Sequence, residues 1–235
     1  MAKQLPISPT LLNTFLTCPR QYEAKYITKE VVFQQSEAAA YGDRIHKAVE
    51  AALTLNAALP PEAAYMQPLV DWCRTLAAKD GVEMMVEEAL AITSDLQPCG
   101  WWGDKSRKAP AWQRGKADVF FVDHINKVNI IVDWKTGKVK DDKTQSHLLS
   151  LCATKRTGYS KSVCLWVFCT KDELVAEDVD LLDLTPISTH MANVRAYEKA
   201  CRDHEFPALR NGLCRQWCDV HSCIHNGKNP ANIGG

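Results

Sequence analysis

The sequence predicts an α/β fold, in which helices precede and follow a β-hairpin and a further buried strand. Residues 117–122 and 128–132 are two apolar runs separated by a polar turn, the pattern of paired, partly buried strands. Residues 162–170 are continuously apolar, as expected for a strand buried on both faces. Apolar residues at helical spacing occur on both sides of this region. At 235 residues, the chain is long enough to bury a full core.

The first 80 residues are predicted to be helical. Ser8 is a typical helix N-cap and Pro9 suits the first helical position, so a helix is expected to begin there. Pro19 cannot continue that helix, which predicts a corner and a second short helix. In residues 62–79, Pro68 predicts a kink or a late start, with Tyr65, Leu69, Trp72 and Leu76 facing inward. The remaining helices are expected at residues 37–55, 141–156 and 186–204.

Residues 82–92 are ambiguous by periodicity, but their position just before the hairpin favours a strand. Either Glu87 or Glu88 then faces inward near Asp118. An edge strand is expected at residues 174–184. We expect one domain over residues 1–225, made of a helical part to residue 80, a core over 82–184 and a cysteine-rich end over 186–225. The turn-rich residues 226–235 are expected to be disordered.

The hairpin carries an unusual set of charges. If its strands pair with Asp118 opposite Asp133, the tip falls at residues 125–126 and the two carboxylates become neighbours. Lys135 projects to the same side as Asp133, because alternate residues of a strand share a face. Two adjacent carboxylates are unfavourable without a positive group between them, and a hard divalent cation would supply it. The alternative is a solvated surface turn.

The composition limits the classes of function. The formal net charge is zero, so any attraction to nucleic acid must be local. No apolar run is long enough to cross a membrane and the first residues do not form a signal peptide, so we expect a cytosolic protein. No nucleotide-binding glycine-rich loop is present. Two basic clusters flank the hairpin and either bind DNA or are solvated loops: Lys105, Arg107, Lys108, Arg114 and Lys116, then Lys135, Lys138, Lys140 and Lys143.

Residues 97–112 combine aromatic and basic side chains. They include Cys99, Trp101, Trp102 and Trp112 among glycines and lysines. Aromatic rings beside cations are what a stacking platform for single-stranded nucleic acid requires. The same residues could equally cover an exposed edge of the core.

The C-terminal part of the chain is rich in cysteine. Cys214, Cys218 and Cys223 lie within ten positions of a polar segment that is too short to form a core, which indicates a bound metal or cluster. His221 and His225 could join them as zinc ligands. A third possibility is a loop of reduced thiols, because a cytosolic protein does not depend on disulfides.

Several of these motifs resemble the PD-(D/E)XK nuclease superfamily, and in particular its RecB-like and CRISPR-associated exonuclease branch. They are a Gly-x-x-Asp from Gly115 to Asp118, a strand that ends in Asp133-x-Lys135-Thr-Gly, a Gly-x-x-x-His from Gly42 to His46, and a Cys-Pro-x-x-Tyr from Cys18 to Tyr22. The resemblance implies a mixed central β-sheet flanked by helices, with a restriction-endonuclease-like core. It also implies a Mg²⁺- or Mn²⁺-dependent deoxyribonuclease, with an exonuclease role in the recombination, repair or processing of phage or mobile-element DNA.

The resemblance also implies a role for each site residue. Asp118, Asp133 and Glu87 would hold the cation with the backbone carbonyl of Trp134, and His46 would complete the site. Lys135 would stabilise the attacking hydroxide and the scissile phosphate. Gln145 would orient the water, although Leu149 stands where the family motif has tyrosine. The basic residues expected at the DNA are Lys116 and Lys138.

In iron-sulfur members of the branch, one N-terminal cysteine and three C-terminal ones hold a [4Fe-4S] cluster. Cys18 with Cys214, Cys218 and Cys223 matches that number, but the middle cysteine is displaced by one position, so zinc stays an alternative. DNA is the implied partner, together with a possible recombination or replication protein. The competing interpretation is a non-catalytic DNA-binding or assembly module of the same fold, with a structural metal at the cysteines.

Overall fold

A computed structural model describes residues 5–32, 34–137, 143–168, 170 and 173–229. The chain divides into two compact units: residues 1–34 with 189–235, and residues 35–188. The helices are α1 Pro9–Thr17, α2 Pro19–Tyr22, α3 Glu37–Leu55, α4 Gln67–Ala77, α5 Lys143–Thr157 and α6 Leu184–Asp203, with a π turn at Glu23–Ile27 and a 3₁₀ turn at Pro61–Met66. The strands are β1 Val82–Ile92, β2 Gly103–Asp104, β3 Ala109–Pro110, β4 Gln113–Asp123, β5 Val128–Trp134, β6 Lys161–Phe168 and β7 Glu173–Asp180.

The larger unit contains a five-stranded sheet in the order β1-β4-β5-β6-β7. β5 and β6 are parallel and the other neighbours are antiparallel, so the sheet is mixed. Helix α5 forms the crossover that a parallel pair requires. One core cluster joins α3 and α4 to the sheet through Val49, Cys73 and Phe121, and α5 lies against β4, where Arg156 covers the Phe120 ring. The predicted α/β architecture, a mixed central sheet flanked by helices, is confirmed.

The β4–β5 hairpin has the predicted register. Pairing runs from Val119↔Val132 to Asp123↔Val128, which leaves residues 124–127 as the turn. One further pair in the same register places Asp118 opposite Asp133. The Asp123 carboxylate holds the turn by accepting hydrogen bonds from the backbone N–H groups of Ile125 and Asn126.

The face predicted to be inward in residues 62–79 is correct for Leu69 and Leu76 and wrong for Tyr65 and Trp72. A 3₁₀ turn precedes α4, which begins at Gln67, so the late start predicted from Pro68 is correct but the helical phase changes. Val70 and Cys73 are buried, as is Leu76, whereas Trp72 is 40% exposed. A prediction that treats the segment as one continuous helix therefore rotates the buried face.

The smaller unit is built on α1 and aromatic packing. Ser8 Oγ accepts the N–H of Leu11, as expected of an N-cap. The hydroxyl groups of Tyr22 and Tyr197 are 2.9 Å apart, and Phe15 packs edge-on against both rings. Residues 226–229, assigned to a disordered tail, belong to this unit, because Asn226 is buried and donates hydrogen bonds to the carbonyl of Val220. Residues 230–235 lie outside the described residues.

That the whole of residues 1–225 forms one domain stays a prediction. In the described part of the chain, no helix is both long and apolar enough to cross a bilayer.

Candidate active site

Three possible metal ligands from three different elements converge in the larger unit. His46 on α3, Glu87 on β1 and Asp118 on β4 each offer one ligand atom, and these atoms all lie within 4.8 Å of one another. His46 Nδ1 is 3.0 Å from Asp118 Oδ1. The other carboxylate oxygen, Asp118 Oδ2, accepts the backbone N–H of Trp134 at 2.9 Å. Strand β5 therefore fixes the orientation of Asp118 through its own backbone.

The strand position alone left Glu87 and Glu88 open and the resemblance pointed to Glu87, which is the glutamate at this site. The β1–β4 register places it opposite Asp118, between the pairs Val86↔Val119 and Glu88↔Ala117. Its φ of 54° lies in the left-handed region, which residues other than glycine adopt only under strain. Glu88 instead forms an ion pair with Arg156 of α5. Consecutive glutamates on this strand thus serve opposite faces of the sheet.

Asp133 lies beside these ligands and is held by two neighbouring side chains. It is 4% exposed. Gln145 Nε2 donates a hydrogen bond to Asp133 Oδ1 at 2.8 Å, and Lys135 Nζ donates to Gln145 Oε1 at 3.3 Å. Lys135 also forms an ion pair with Asp133 Oδ2. Asp133, Lys135 and Gln145 therefore form one closed triangle of contacts.

The electrostatics of the site favour a cation. Burial raises the pKa of Asp133 to about 6; the charge of Asp118 adds to this rise, while Lys135 and Gln145 oppose it. Burial lowers the pKa of His46, but its hydrogen bond to Asp118 and the charges of Asp118, Asp133 and Glu87 outweigh burial, so the pKa is raised. The carboxylates thus attract a proton onto the imidazole. A divalent cation bound by these oxygen and nitrogen donors would satisfy the same excess of negative charge, so the residues fit a metal of the Mg²⁺ or Mn²⁺ type.

The structure also places neighbours that the sequence did not single out. The Lys135 ammonium lies 5.5 Å from the centre of the buried Trp166 ring. No sequence motif predicts this cation–π contact. A Cβ built on Gly42 would lie 3.1 Å from Thr136 Oγ1, closer than most real Cβ contacts. The glycine of the Gly-x-x-x-His motif therefore makes room for Thr136. Trp134 contributes its N–H to Asp118, whereas ligation by its carbonyl stays a prediction.

Of the two lysines expected to contact DNA, Lys116 is among the described residues and Lys138 is not. Lys116 forms an ion pair with Glu87 at the edge of the site, and its side chain is 52% exposed. Contact of Lys116 with DNA stays a prediction. Lys138 lies outside the described residues.

In the smaller unit, Cys18, Cys214, Cys218 and Cys223 line one cavity, and no histidine is among its lining residues. The backbone N–H of Leu209 donates to Cys18 Sγ at 3.4 Å. Burial raises the pKa of the Cys218 thiol, and the other three cysteines add to the rise.

Carboxylates, an imidazole and a lysine around one possible cation site are the groups found in metal-dependent hydrolases. A family model described as the PD-(D/E)XK nuclease superfamily matches residues 6–223. The chain belongs to this superfamily, whose members are generally nucleases acting on DNA. No curated protein matches the chain. A solved structure titled "Crystal structure of SSO0001" is similar, with 17% identity, 97% coverage of this chain, 89% of the other, and a TM-score of 0.47.

Proposed function

We propose that the protein is a metal-dependent deoxyribonuclease of the RecB-like branch, which trims DNA from an end during recombination, repair or processing of phage or mobile-element DNA. The observation that carries this proposal is the convergence of His46, Glu87 and Asp118 beside the Asp133–Lys135–Gln145 triangle. A solvated surface hairpin would have no reason to bury two carboxylates side by side, because the ionised forms repel each other.

His46, Glu87 and Asp118 would hold Mg²⁺ or Mn²⁺, with Asp133 next to them. When bound, the cation lowers the pKa of a water molecule and stabilises negative charge on a phosphoryl oxygen. The imidazole of His46 favours Mn²⁺ over Mg²⁺, because nitrogen is a softer ligand than a carboxylate oxygen. The backbone N–H of Trp134 keeps Asp118 in a single orientation.

The remaining residues act on the substrate through charge and position. Asp133 and Gln145 hold the Lys135 side chain in place. Its ammonium group therefore needs no change of conformation to act at the site. Such a fixed cation stabilises the negative charge that builds up on the phosphate during hydrolysis. Gln145, which contacts both Asp133 and Lys135, would orient the attacking water molecule.

The test is hydrolysis of end-labelled DNA in Mn²⁺ by the wild type and by the variants Glu87→Gln, Asp118→Asn and Lys135→Ala. We expect each variant to lose roughly 10²-fold or more in rate, the usual effect of removing one charge-stabilising group. Glu88→Gln is the matched control, because Glu88 is the adjacent glutamate but faces α5. It should retain activity within about threefold, given the small effect of a surface substitution. Undiminished hydrolysis by a site variant would remove that residue from the mechanism.

End dependence is tested separately with closed circular DNA. An exonuclease degrades a linear molecule but leaves a covalently closed circle of the same sequence intact. Labels at the 5′ and 3′ ends of the linear molecule then give the polarity. Cleavage of the circle would replace the exonuclease assignment with an endonuclease while leaving the metal site in place.

We further propose a [4Fe-4S] cluster at Cys18, Cys214, Cys218 and Cys223. The proposal is supported by the cavity that all four cysteines line, with no histidine among its lining residues. Cysteine thiolates are the ligands that a [4Fe-4S] cluster requires. The test is the visible absorption and the iron, sulfide and zinc content of anaerobically purified protein. Cys214→Ser should lose the visible absorption, whereas Cys73→Ser, at a buried cysteine of the other unit, should retain it. Stoichiometric zinc in a colourless protein would support the alternative.

A further inference from the structure

Arg114 is stacked against two consecutive tryptophans. Its guanidinium carbon lies 4.2 Å from the centre of the Trp101 ring and 4.6 Å from that of Trp102. Its Nη1 donates a hydrogen bond to the carbonyl of Trp101 at 2.9 Å. These contacts fix the loop that carries the two rings onto strand β4. Because both rings contact one rigid cation, their orientation is set before any ligand arrives.

Trp102 is 74% exposed in this arrangement. A tryptophan that only covered a core edge would bury most of its large apolar surface. Here the ring contacts Arg114 and leaves most of its area in water, so the interpretation of Trp102 as an edge cover is not supported. The chain therefore presents an ordered aromatic surface to solvent.

The stack lies on the same strand as the metal site. Arg114 and Lys116 are two residues apart on β4 and share a face, and Lys116 forms an ion pair with the metal-site residue Glu87. Arg114 and Asp118 are four residues apart, or about 13 Å along a strand. That distance corresponds to about four nucleotide steps at the 3.4 Å rise of stacked DNA.

The stretch around the two rings contains both basic and acidic residues, and Arg107 is paired there with Asp95 and Asp104. Among the described residues, Arg114 forms no ion pair with a carboxylate, and its guanidinium contacts the two rings and the Trp101 carbonyl. Lys105 and Lys108, in the turn between β2 and β3, are both exposed. Cations beside an open aromatic face match the charge and the bases of a nucleic-acid strand.

We propose that Trp102, supported by Arg114, is a stacking site for a base of single-stranded DNA a few nucleotides from the cleaved bond. The proposal rests on the proposed nuclease function and specifies its substrate: an unpaired segment must lie next to the active site. A base inside a duplex already stacks on its neighbours, whereas an unpaired base offers a free face to the indole ring.

The test is the binding of a fluorescein-labelled dT20 strand in EDTA, where cleavage is excluded, measured by anisotropy with the full chain. Trp102→Ala should weaken binding about 5- to 150-fold, the range for the loss of one base–aromatic stack. Trp102→Phe should recover most of the affinity. Trp217→Ala is the matched control, because Trp217 is 73% exposed but lies in the other unit. It should bind within about twofold of the wild type, as expected of a surface substitution.

Abasic substitution identifies the stack directly. A series of dT20 strands carries one abasic residue, each at a different position. At one position the missing base should weaken binding to the wild type but not to Trp102→Ala, because the base and the Trp102 ring contribute to binding only as a pair. A blunt duplex should bind equally to both proteins. Equal binding of dT20 by the wild type and Trp102→Ala, or equal losses for dT20 and the duplex, would overturn the proposal.

The outcomes separate this proposal from the nuclease assignment. If the wild type cleaves DNA in Mn²⁺ but Trp102→Ala binds dT20 normally, the stacking site is wrong and the nuclease assignment stands. If Trp102 is needed for binding dT20 but the wild type cleaves no DNA, the nuclease assignment fails and the stacking site stands.

Discussion

Replacing Asp133 by asparagine should stabilise the metal-free protein while abolishing its activity. Burial and the neighbouring charge of Asp118 raise the pKa of Asp133 to about 6, whereas an aspartate in the unfolded chain ionises near pH 3.9. The folded state therefore binds more protons than the unfolded state between these two pH values. Stability falls as the pH rises through this window, and above pH 6 the ionised carboxylate is a constant cost to folding.

The size of the destabilisation follows from the difference between the folded and unfolded pKa of Asp133. About two pKa units at 1.36 kcal/mol each correspond to about 3 kcal/mol of destabilisation at pH 8, and roughly half of that at pH 5. Asparagine does not ionise, and its carbonyl can still accept the hydrogen bond from Gln145. Its amide group repels the Lys135 ammonium, which offsets part of the gain. We expect a net stabilisation of about 1–3 kcal/mol at pH 8.

The assay is urea denaturation in EDTA at pH 8 and pH 5, followed by circular dichroism. Asp133→Asn should have the higher free energy of unfolding, with the larger difference at pH 8. Asp123→Asn is the control, because Asp123 lies in the same hairpin but its turn hydrogen bonds, chiefly from Asn126, lower its pKa. A lowered carboxyl pKa contributes stability above the unfolded pKa, so this variant should be less stable at pH 8.

Addition of Mn²⁺ should reverse the order of stability. The wild type gains the free energy of cation binding, while Asp133→Asn gains less. If Asp133→Asn were no more stable than the wild type at pH 8 in EDTA, Asp118 and Asp133 would not repel each other in the folded protein. The site would then have no excess of negative charge for a cation to neutralise.

Two further predictions concern packing and pH. Gly115→Ala places a Cβ 2.6 Å from Leu149 Cδ2 and should lower the free energy of unfolding by about 1–3 kcal/mol in urea denaturation. Gly137→Ala, whose Cβ would meet none of the described residues within 4 Å, should change the free energy of unfolding by less than about 0.5 kcal/mol. Equal effects of the two variants would show that the Gly115 Cβ does not clash with Leu149. Calorimetric affinity for Mn²⁺ should rise with pH and level off above the raised pKa of His46, because the cation displaces a proton from the imidazole. His46→Asn should weaken and flatten this dependence, and an unchanged profile would exclude His46 as a ligand.

The hairpin at the centre of the fold could be predicted because neighbouring residues in the sequence determine its structure. A two-residue period fixes which side chains share a face, and the polar turn fixes the register. Together they placed Asp118 across from Asp133 and Lys135 beside it. Strand β1 was also predictable, although its periodicity was ambiguous, because a strand was needed next to the hairpin.

The choice between Glu87 and Glu88 could not be made from residue types. It depends on a left-handed backbone at residue 87 and on Arg156, a partner 68 positions from Glu88. The buried face of residues 62–79 was predicted only in part for a similar reason: a 3₁₀ turn before Gln67 changes the helical phase, and no residue type marks where one helix form ends and the other begins. The stack of Arg114 on Trp101 and Trp102 also depends on how a loop folds back onto a strand.

Two features of the site share a physical character. The left-handed Glu87 backbone on β1 and the buried, ionisable Asp133 on β5 each reduce the stability of the metal-free protein, and they lie on either side of Asp118 on β4. Strain and repulsion of this kind persist where the surrounding fold is rigid enough to impose them and where a ligand removes them. A cation that binds Glu87 and Asp118 would relieve the repulsion on Asp133 and hold the strained glutamate in place. Left-handed residues also occur elsewhere in the chain, so the distinguishing feature of this site is the repulsion between the buried carboxylates of Asp118 and Asp133. That repulsion is evidence for a cation site that does not depend on any sequence motif.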